Sequence, residues 1–361
     1  MDDAFYMRKA VALAERGRAT TSPNPMVGAL VVDSEGVIVG RGSHRIAGGP
    51  HAEVIALADA GERARGSTLY CTLEPCTHVG RTGPCAPLVV SAGIRRAVIA
   101  IEDPNPLVNG AGLEYLRRHG IEVAVGVERE RAARQNQVFL TSVRLGRPFV
   151  ILKAAVSLDG CLGIAPGVRT QLTGEAAERF VHRQRAEVDA IGVGSGTVLA
   201  DDPLLTARGA FRARPLTRVI FDRRLRTPSG ARVLSTRAAG PVIIMSTRDA
   251  CAAAPERVAA LTAAGAQVLA APEPDLASAL TLLKESSITS IVIEGGAALH
   301  RAALDANVVD LVQAYIAPRI LGPSCLKWME AGRFTFGELD ERRVRWFNDE
   351  VLVEGHVHGT H

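Results

Sequence analysis

The chain has 361 residues, a formal net charge of +4 and 47% hydrophobic residues, enough for the packed cores of two domains. Only 4% of its residues are aromatic and its basic residues are dispersed, which argues against a base-stacking nucleic-acid surface. No apolar run approaches the roughly 20 residues that span a bilayer, and the N-terminus lacks the pattern of a signal peptide. With six cysteines in a chain of this length, we expect a cytoplasmic protein that binds a small anionic ligand, without a nucleic-acid or membrane partner.

The first part of the chain alternates helical and strand patterns. Apolar residues at helical spacing, with capping and stop signals, predict helices over 3–16, 52–60, 84–91, 112–119 and 128–144. Runs rich in β-branched and apolar residues predict strands over 27–33, 37–40, 68–73, 96–101 and 121–125. This alternation predicts a three-layer α/β domain with a mixed sheet over residues 1–145.

A turn signal at Gly146-Arg147-Pro148 separates this part from a second α/β domain, predicted over 146–361. Its predicted strands are 149–155, 189–193, 217–221, 242–246, 267–270, 290–293 and 311–316. Its predicted helices are 174–185, 255–264, 276–285 and 297–306. Four cysteines outside the motifs described next are expected to be small buried hydrophobic residues, namely Cys71, Cys161, Cys251 and Cys325.

Three short motifs in the first domain carry metal-ligand chemistry. His51 and Glu53 stand at the start of a predicted helix, Cys76 follows a predicted strand, and Cys85 opens another helix. One imidazole and two thiolates can hold Zn²⁺ and leave its fourth position open for water. Residues i and i+2 do not share a helix face, so a metal near both His51 and Glu53 must lie off the helix start. The set predicts a zinc deaminase, with Glu53 moving protons without binding the metal.

Two other interpretations of these motifs stay open. His78 is available as a fourth ligand, which would make a closed structural zinc module of a binding protein and leave Glu53 without a role. A nucleic-acid deaminase is also compatible with the motifs, but the sequence offers no basic and aromatic surface for it.

The same motifs, read with their neighbours, resemble the bifunctional deaminase/reductase family of riboflavin biosynthesis. In the first half the resemblance rests on SPNPMVG at 22–28, HAE at 51–53 and EPCTHVGRTGPC at 74–85. In the second half it rests on KAAVSLDG at 153–160, GTVLADDP at 196–203 and EGG at 294–296. The likeness therefore runs through the whole chain.

For the first half, the resemblance implies the cytidine-deaminase fold. The family removes the ring 2-amino group of 2,5-diamino-6-(5-phosphoribosylamino)pyrimidin-4(3H)-one. By position, the zinc ligands would be His51, Cys76 and Cys85, and Glu53 would be the catalytic proton carrier. Three further residues would contact the pyrimidine or the ribose phosphate, namely Asn24, His44 and His78.

For the second half, the resemblance implies a dihydrofolate-reductase-like domain that uses NADPH to reduce the ribosyl group, and a homodimer formed through this domain. Positions that would contact NADP are Ala155, Gln171, Thr197, Asp201, Arg223, Gly296, Ala297, Ala298, Leu299, His300, Arg301 and Ala302. Positions that would contact the substrate are Arg169, Arg185, Leu205, Arg208 and Glu294. Lys153 and Asp201 would help to polarise the substrate.

Four residues depart from the family's common pattern. Gln171 stands where Trp is usual, Arg169 where Ser or Thr is usual, Arg223 where Ser is usual, and Cys161 where a basic residue is usual. We interpret Arg223 as a partner for the 2′-phosphate of NADP, and Arg169 as a ring-stacking substitute for the missing Trp. The departures also leave open a deaminase whose second domain no longer catalyses reduction.

Overall fold

The computed structural model describes residues 2–77, 83–105, 108–329 and 337–357. The chain forms two compact units, Met1–Leu145 and Gly146–His361. No helix within the described ranges is both long and apolar enough to cross a membrane.

The first unit contains one five-stranded sheet. Its strands are β1 (Gly28–Val32), β2 (Ile38–Ser43), β3 (Thr68–Leu73), β4 (Arg96–Ile101) and β5 (Glu122–Val125). Its α-helices are α1 (Asp3–Ala14), α2 (Ala52–Ala60), α3 (Cys85–Ser91), α4 (Ala111–Arg118), α5 (Arg129–Gln135) and α6 (Gln137–Leu145). The strand order is β2-β1-β3-β4-β5; β1 runs antiparallel to both neighbours, while β3, β4 and β5 are parallel.

Two glycines let helices approach this sheet closely on opposite faces. A Cβ on Gly28 would lie 2.0 Å from the carbonyl oxygen of Ala10 in α1, and a Cβ on Gly42 would lie 1.9 Å from that of Ala52 in α2. Gly42 pairs with Ala29, the neighbour of Gly28, so the two glycines face opposite sides of the sheet. The predicted three-layer arrangement of the first unit is confirmed.

Gly42→Ala should displace the start of α2, because the added methyl group would meet backbone that cannot move away as a flexible side chain does. We expect a destabilisation of about 1–3 kcal/mol, together with loss of the zinc binding and deaminase activity that the sequence motifs predict. Metal analysis measures the zinc content, and an ammonia-release assay measures the deaminase activity. The matched control is Gly230→Ala in the second unit, where an added Cβ meets open space. Full zinc content in Gly42→Ala would contradict this account of α2.

One predicted helix of the first unit is wrong in its extent. The helix expected over 128–144 is divided at Asn136 into α5 and α6. The Asn136 side chain accepts a hydrogen bond from the Met26 backbone N–H and donates one to the Met26 carbonyl oxygen, each at 2.8 Å. These bonds join residues 110 positions apart in the chain, so local periodicity carried no sign of the break.

The second unit is built around a larger sheet. Its strands are β6 (Phe149–Ser157), β7 (Cys161–Gly163), β8 (Ala190–Gly194), β9 (Thr217–Phe221), β10 (Val242–Thr247), β11 (Ala266–Ala271), β12 (Ser290–Gly295), β13 (Leu311–Ala317), β14 (Leu326–Lys327), β15 (Asp340–Phe347) and β16 (Glu350–His356). Its α-helices are α7 (Glu175–Glu187), α8 (Ser195–Asp201), α9 (Arg232–Ser235), α10 (Arg248–Ala253), α11 (Pro255–Ala263), α12 (Leu276–Glu285) and α13 (Ala297–Asp305).

The main sheet has nine strands in the order β11-β10-β9-β8-β12-β6-β13-β16-β15. The seven strands from β11 to β13 are parallel, and β16 and β15 add an antiparallel hairpin at one edge. Ile291 and Ile293 pack into one hydrophobic core while Val292 packs into another, so both faces of the central sheet are buried. The α/β class predicted for the second half is confirmed.

The sequence analysis missed several elements of the second unit. It predicted no strand after residue 316, whereas the structure has β14 and the β15–β16 hairpin. Strand β15 is exposed over nearly its whole length, so burial imposes no alternation of polar and apolar residues on it.

The expectation for two of the cysteines is wrong. Cys161 and Cys325 are joined in a disulfide, with their Cα atoms 5.9 Å apart, rather than being separate small hydrophobic residues. The two residues are 164 positions apart in the chain, a proximity that only the tertiary fold creates. Cys71 is a buried free thiol, as predicted, whereas Cys251 is only partly buried.

Candidate functional site

Two elements of the first unit bring the metal-ligand motifs together. His51 is the N-cap residue of α2 and Glu53 lies in that helix's first turn. Cys76 follows the carboxyl end of β3, and Cys85 is the first residue of α3. The Cys85 backbone N–H donates to the Cys76 sulfur at 3.4 Å, so the start of α3 favours negative charge on that sulfur.

The three ligand atoms have the spacing that a tetrahedral zinc ion requires. His51 Nδ1 lies 3.2 Å from Cys85 Sγ and 3.6 Å from Cys76 Sγ, and all three atoms lie within 4.8 Å of one another. Zinc–nitrogen and zinc–sulfur bonds of about 2.0 and 2.3 Å at a tetrahedral angle would separate N from S by about 3.5 Å. Within the described ranges, the cluster includes no fourth His, Cys, Asp or Glu. The three donors therefore fit a zinc ion.

Burial and hydrogen bonding shift the protonation of this cluster. Burial raises the pKa of the Glu53 carboxyl to about 7. Hydrogen bonds from Cys85 and His51 lower the pKa of Cys76, which favours a thiolate on its sulfur. Glu53 is 4% exposed and close enough to His51 for the two charges to interact, which places its carboxyl beside the metal-ligand cluster.

Asn24 and His44 form a bonded pair beside the cluster. His44 Nδ1 donates to the Pro50 carbonyl oxygen at 3.0 Å, which leaves Nε2 to accept from the Asn24 amide at 3.3 Å. Burial lowers the pKa of His44, consistent with a neutral ring. Its ring lies edge-on to that of His51, with 5.6 Å between centroids. His78, predicted to contact substrate and considered as a fourth zinc ligand, lies outside the described residues.

The sequence analysis missed the role of Glu74. This buried carboxylate accepts hydrogen bonds from the backbone N–H groups of Asp103, Gly110, Gly112 and Leu113, at 2.8 to 3.3 Å. Two of these donors belong to the first turn of α4, whose free N–H groups favour an anion. Glu74 thus holds α4 against the segment that carries Cys76. Its position directly before Pro75-Cys76 was the only local signal.

The second unit has a cavity of about 1470 Å³ at the carboxyl ends of β6, β8, β9, β10 and β12. Ligands of open α/β sheets bind at this edge. Most residues predicted to contact NADP or substrate line it, namely Ala155, Arg169, Gln171, Thr197, Asp201, Arg223, Glu294, Gly296, Ala297, Ala298, Leu299, Arg301 and Ala302. Lys153 lines it too, as do Arg224 and Arg226, which the sequence analysis did not select.

Three charged side chains form a buried group at the cavity. Arg185 makes two hydrogen bonds of 2.6 Å to the Glu294 carboxylate, and these side chains are only 16% and 8% exposed. Burial would raise the pKa of Glu294, but Arg185 and Lys153 hold it at about 2. Burial lowers the pKa of Lys153, opposed by the charge of Glu294. The group thus keeps a carboxylate and two cations close to where a ligand would bind.

Four predicted residues do not line the cavity. Arg185 lies behind Glu294, and Leu205 is buried in a hydrophobic core. Arg208 donates through its backbone N–H to His182 Nδ1. His300 is fully buried, and its Nδ1 accepts a hydrogen bond from Trp328 Nε1 at 3.0 Å, so its side chain packs inward while its neighbours in α13 face the cavity.

The start of α13 and the loop after β9 suit an anionic ligand. Gly296 is the N-cap residue of α13 and has φ +68°, a conformation that favours glycine. The free backbone N–H groups that follow it can bind a phosphate. Arg223 and Arg224 are exposed and line the same cavity, so guanidinium groups can reach a second phosphate.

Comparison with known proteins finds matches to both units of the chain. A model of the cytidine and deoxycytidylate deaminase zinc-binding region matches residues 1–101, and a model of the RibD C-terminal domain matches residues 148–331. The riboflavin biosynthesis protein RibD of Aquifex aeolicus is 43% identical over 320 residues, which cover 89% of this chain and 88% of that protein. This chain belongs to the RibD family. RibD of Escherichia coli is 39% identical over 354 residues, which cover 94% of this chain and 96% of that protein.

Solved RibD structures match both units. RibD of Acinetobacter baumannii superimposes with a TM-score of 0.88 at 37% identity, covering 99% of each chain. A diaminohydroxyphosphoribosylaminopyrimidine deaminase/5-amino-6-(5-phosphoribosylamino)uracil reductase of Thermotoga maritima superimposes with a TM-score of 0.83 at 34% identity, also over 99% of each chain. The predicted succession of a cytidine-deaminase-like domain and a reductase domain is confirmed.

Membership of the RibD family establishes the type of enzyme. The chain is a bifunctional enzyme of riboflavin biosynthesis, with a zinc-dependent deaminase half and an NADPH-dependent reductase half. The donor set of the first unit suits zinc, and the cavity of the second, with its glycine-capped helix start and arginines, suits a dinucleotide phosphate.

Proposed function

We propose that the chain deaminates 2,5-diamino-6-(5-phosphoribosylamino)pyrimidin-4(3H)-one and then reduces the ribosyl group of the product with NADPH, giving 5-amino-6-(5-phosphoribitylamino)uracil. The observation that carries the first step is the His51, Cys76 and Cys85 cluster beside the buried Glu53. The second step rests on the cavity that contains the Lys153, Glu294 and Arg185 group. The name of the Thermotoga maritima relative gives the same two activities for that protein.

In the deaminase half, His51, Cys76 and Cys85 would hold the metal and Glu53 would carry protons. Zinc, when bound there, supplies the Lewis acidity that activates water near neutral pH. A carboxyl with a pKa of about 7 can accept a proton and later donate it to the ring nitrogen and the leaving ammonia. Asn24 and His44 would orient the pyrimidine from beside His51, and His78 is proposed as a further substrate contact.

In the reductase half, the charged group would orient the ribosyl carbonyl. Lys153, which lines the cavity, would donate to that carbonyl, and the Glu294 carboxylate, itself paired with Arg185, attracts the Lys153 ammonium. NADPH, when bound, supplies the reducing equivalents. The residues proposed to hold it are those of the α13 start with Ala155, Gln171, Thr197, Asp201 and Arg223. Arg169 is proposed to contact substrate at the same cavity.

A two-step turnover assay tests the proposed function. Zinc-loaded protein is supplied with the diaminopyrimidine ribosyl phosphate, and ammonia release is followed together with NADPH absorbance. Ammonia release together with a fall in NADPH absorbance supports the proposal. Ammonia release without oxidation of NADPH or NADH would leave a deaminase whose second unit does not catalyse reduction.

Arg223→Ala should reduce the preference for NADPH over NADH, because the guanidinium is proposed to pair with the 2′-phosphate that NADH lacks. We expect kcat/KM for NADPH to fall by about 10-fold or more, the cost of losing a charge-assisted bond, with little change for NADH. Steady-state kinetics with both cofactors measure this. Arg232→Ala removes an exposed arginine outside the cavity and should leave the preference unchanged. An unchanged preference in Arg223→Ala would contradict the assignment.

We also propose a homodimer formed through the second unit. Strand β15 is at the edge of the nine-stranded sheet, and Val344 and Trp346 on it are 60% and 69% exposed. An exposed edge strand with large apolar side chains is a site for pairing with a second copy. Light scattering on Trp346→Glu should show monomers where the original chain shows dimers; monomers in both would contradict the proposal.

A cytoplasmic location completes the proposed function. Cys76 and Cys85 must remain free thiolates to hold zinc, and a reducing compartment keeps them so. Fractionation of cells that produce the protein tests this directly.

A further inference from the structure

The disulfide Cys161–Cys325 joins two segments that leave neighbouring strands of the central sheet. Cys161 opens β7, shortly after β6, and Cys325 directly precedes β14, in the chain that follows β13. Strands β6 and β13 are parallel neighbours, and β7 and β14 pair antiparallel just beyond them. The disulfide thus ties the small β7–β14 sheet together at one end.

This small sheet forms part of the cavity wall. The cavity is lined by Leu162 and Gly163 of β7 and by Leu326 of β14. Leu162 and Leu326 directly follow the bonded cysteines in the chain, and Gly163 is one residue beyond Leu162. The stretch of chain that follows β7 contributes Arg169 and Gln171 to the same wall. The bonded cysteines therefore lie directly beside the surface that a ligand would contact.

The surroundings of the pair suit reversible thiol chemistry. Lys327 Nζ lies 3.4 Å from Cys161 Sγ and 3.2 Å from the Asp159 carbonyl oxygen. An ammonium group at this distance stabilises a thiolate on Cys161, which makes that sulfur a good leaving group. Cys161 is fully buried whereas Cys325 is partly exposed, so an incoming thiol can reach Cys325 first.

Hydrogen bonds hold the two segments near each other independently of the disulfide. The Asp159 carboxylate accepts hydrogen bonds from the backbone N–H groups of Leu321 and Gly322. The backbone N–H of Trp328 donates to the Gly160 carbonyl oxygen. Reduction would therefore loosen this wall without separating the strands. These bonds also occupy the Asp159 carboxylate, and the Lys327 ammonium lies close to Cys161. A metal ion between Asp159 and the two cysteines is unfavourable for both reasons.

We propose that Cys161 and Cys325 are a reversible redox modification site, whose oxidised form holds the wall of the NADPH cavity in its binding arrangement. The reacting partner is a small-molecule thiol and its disulfide, such as glutathione. The effect of this redox state on NADPH binding rests on the proposed reductase function of the second unit. Binding is weakened in the reduced form because only part of its population has the binding arrangement.

The exchange balances as two successive displacements. A thiolate attacks Cys325 Sγ, the bond between Cys325 and Cys161 breaks, and Cys161 leaves as a thiolate beside Lys327. A second thiolate attacks the mixed disulfide and releases Cys325 as a thiolate. Two small thiols are oxidised to one disulfide, and their two electrons reduce the protein pair.

The test uses the full-length, zinc-loaded protein equilibrated in reduced or oxidised glutathione. Alkylation followed by peptide mass spectrometry reports the Cys161–Cys325 bond, and NADPH fluorescence titration reports Kd without requiring turnover. We expect the bond to form and open reversibly, and Kd for NADPH to be about 3- to 10-fold higher in the reduced protein. Cys161→Ser/Cys325→Ser should bind NADPH like the reduced protein in both mixtures.

The matched control is Cys251→Ser, which removes a free thiol of the same unit and should retain the redox response. Deaminase activity, measured in parallel, reports damage to the zinc thiolates. Equal Kd values in protein shown to be fully oxidised and fully reduced would overturn the proposal, as would zinc held by the reduced pair. If NADPH binding responds to redox state but the protein catalyses no reduction, the proposed reductase function is contradicted. The proposed redox site then still holds.

Discussion

Glu53→Gln should lower deaminase turnover by about 10²- to 10⁴-fold, the usual contribution of a positioned general acid–base. Gln has nearly the same shape but cannot accept and return a proton. Burial raises the pKa of Glu53 to about 7, so the native side chain can do both near neutral pH. Ammonia release from the diaminopyrimidine substrate measures the effect.

The second unit supplies an internal control for this variant. NADPH oxidation with 5-amino-6-(5-phosphoribosylamino)uracil should be unchanged, and metal analysis should show full zinc content because Glu53 is not a proposed ligand. Glu62→Gln, which alters an exposed carboxylate soon after α2, should retain both activities. Normal ammonia release from Glu53→Gln would contradict the assignment of Glu53 as the proton carrier.

Arg185→Leu should destabilise the second unit by about 3–5 kcal/mol, because it leaves the buried Glu294 carboxylate without its paired guanidinium. It should also lower reductase kcat/KM by about 10²-fold, the typical cost of truncating one partner of a buried charged pair. The unfolding transition of the second unit is recognised as the one that NADPH raises in a thermal scan. Deaminase activity below that transition should be unchanged.

Two further variants separate stability from function at this pair. Arg179→Leu on the same helix breaks an exposed ion pair with Glu175, whose side chains are 69% and 91% exposed, and should have almost no effect. Arg185→Leu/Glu294→Leu should recover much of the stability but not the activity, since no buried charge is left unpaired. A stable, fully active Arg185→Leu would show that this pair has no part in reduction.

The zinc cluster could be predicted from the sequence because each of its residues carries a local signal. His51 is the N-cap residue of α2 and Cys85 is the first residue of α3, whereas Cys76 follows strand β3 in the motif Glu74-Pro75-Cys76. The family motifs also predicted most residues of the second cavity, which are now seen to line it together. Their individual roles remain predictions.

Other features depended on partners distant in the chain. Glu74 contacts backbone groups 29 to 39 residues away, and Arg185 contacts Glu294 across 109 positions. Asn136 interrupts a helix by bonding to Met26, and Cys161 meets Cys325 across 164 positions. None of these pairs produces a periodic pattern, so the sequence did not predict the Arg185–Glu294 ion pair, and one predicted helix was too long.

The sequence by itself predicted most of the helices and strands in their order, the α/β class of both halves and a set of zinc ligands. Hydrophobic periodicity, turn residues and ligand chemistry are local properties, and they are largely independent of how elements pack. Only the tertiary structure decided which face of α13 meets the cavity, how Lys153, Arg185 and Glu294 balance their charges, and that Cys161 and Cys325 meet. Desolvation and charge pairing depend on distances through space, which a linear pattern does not contain.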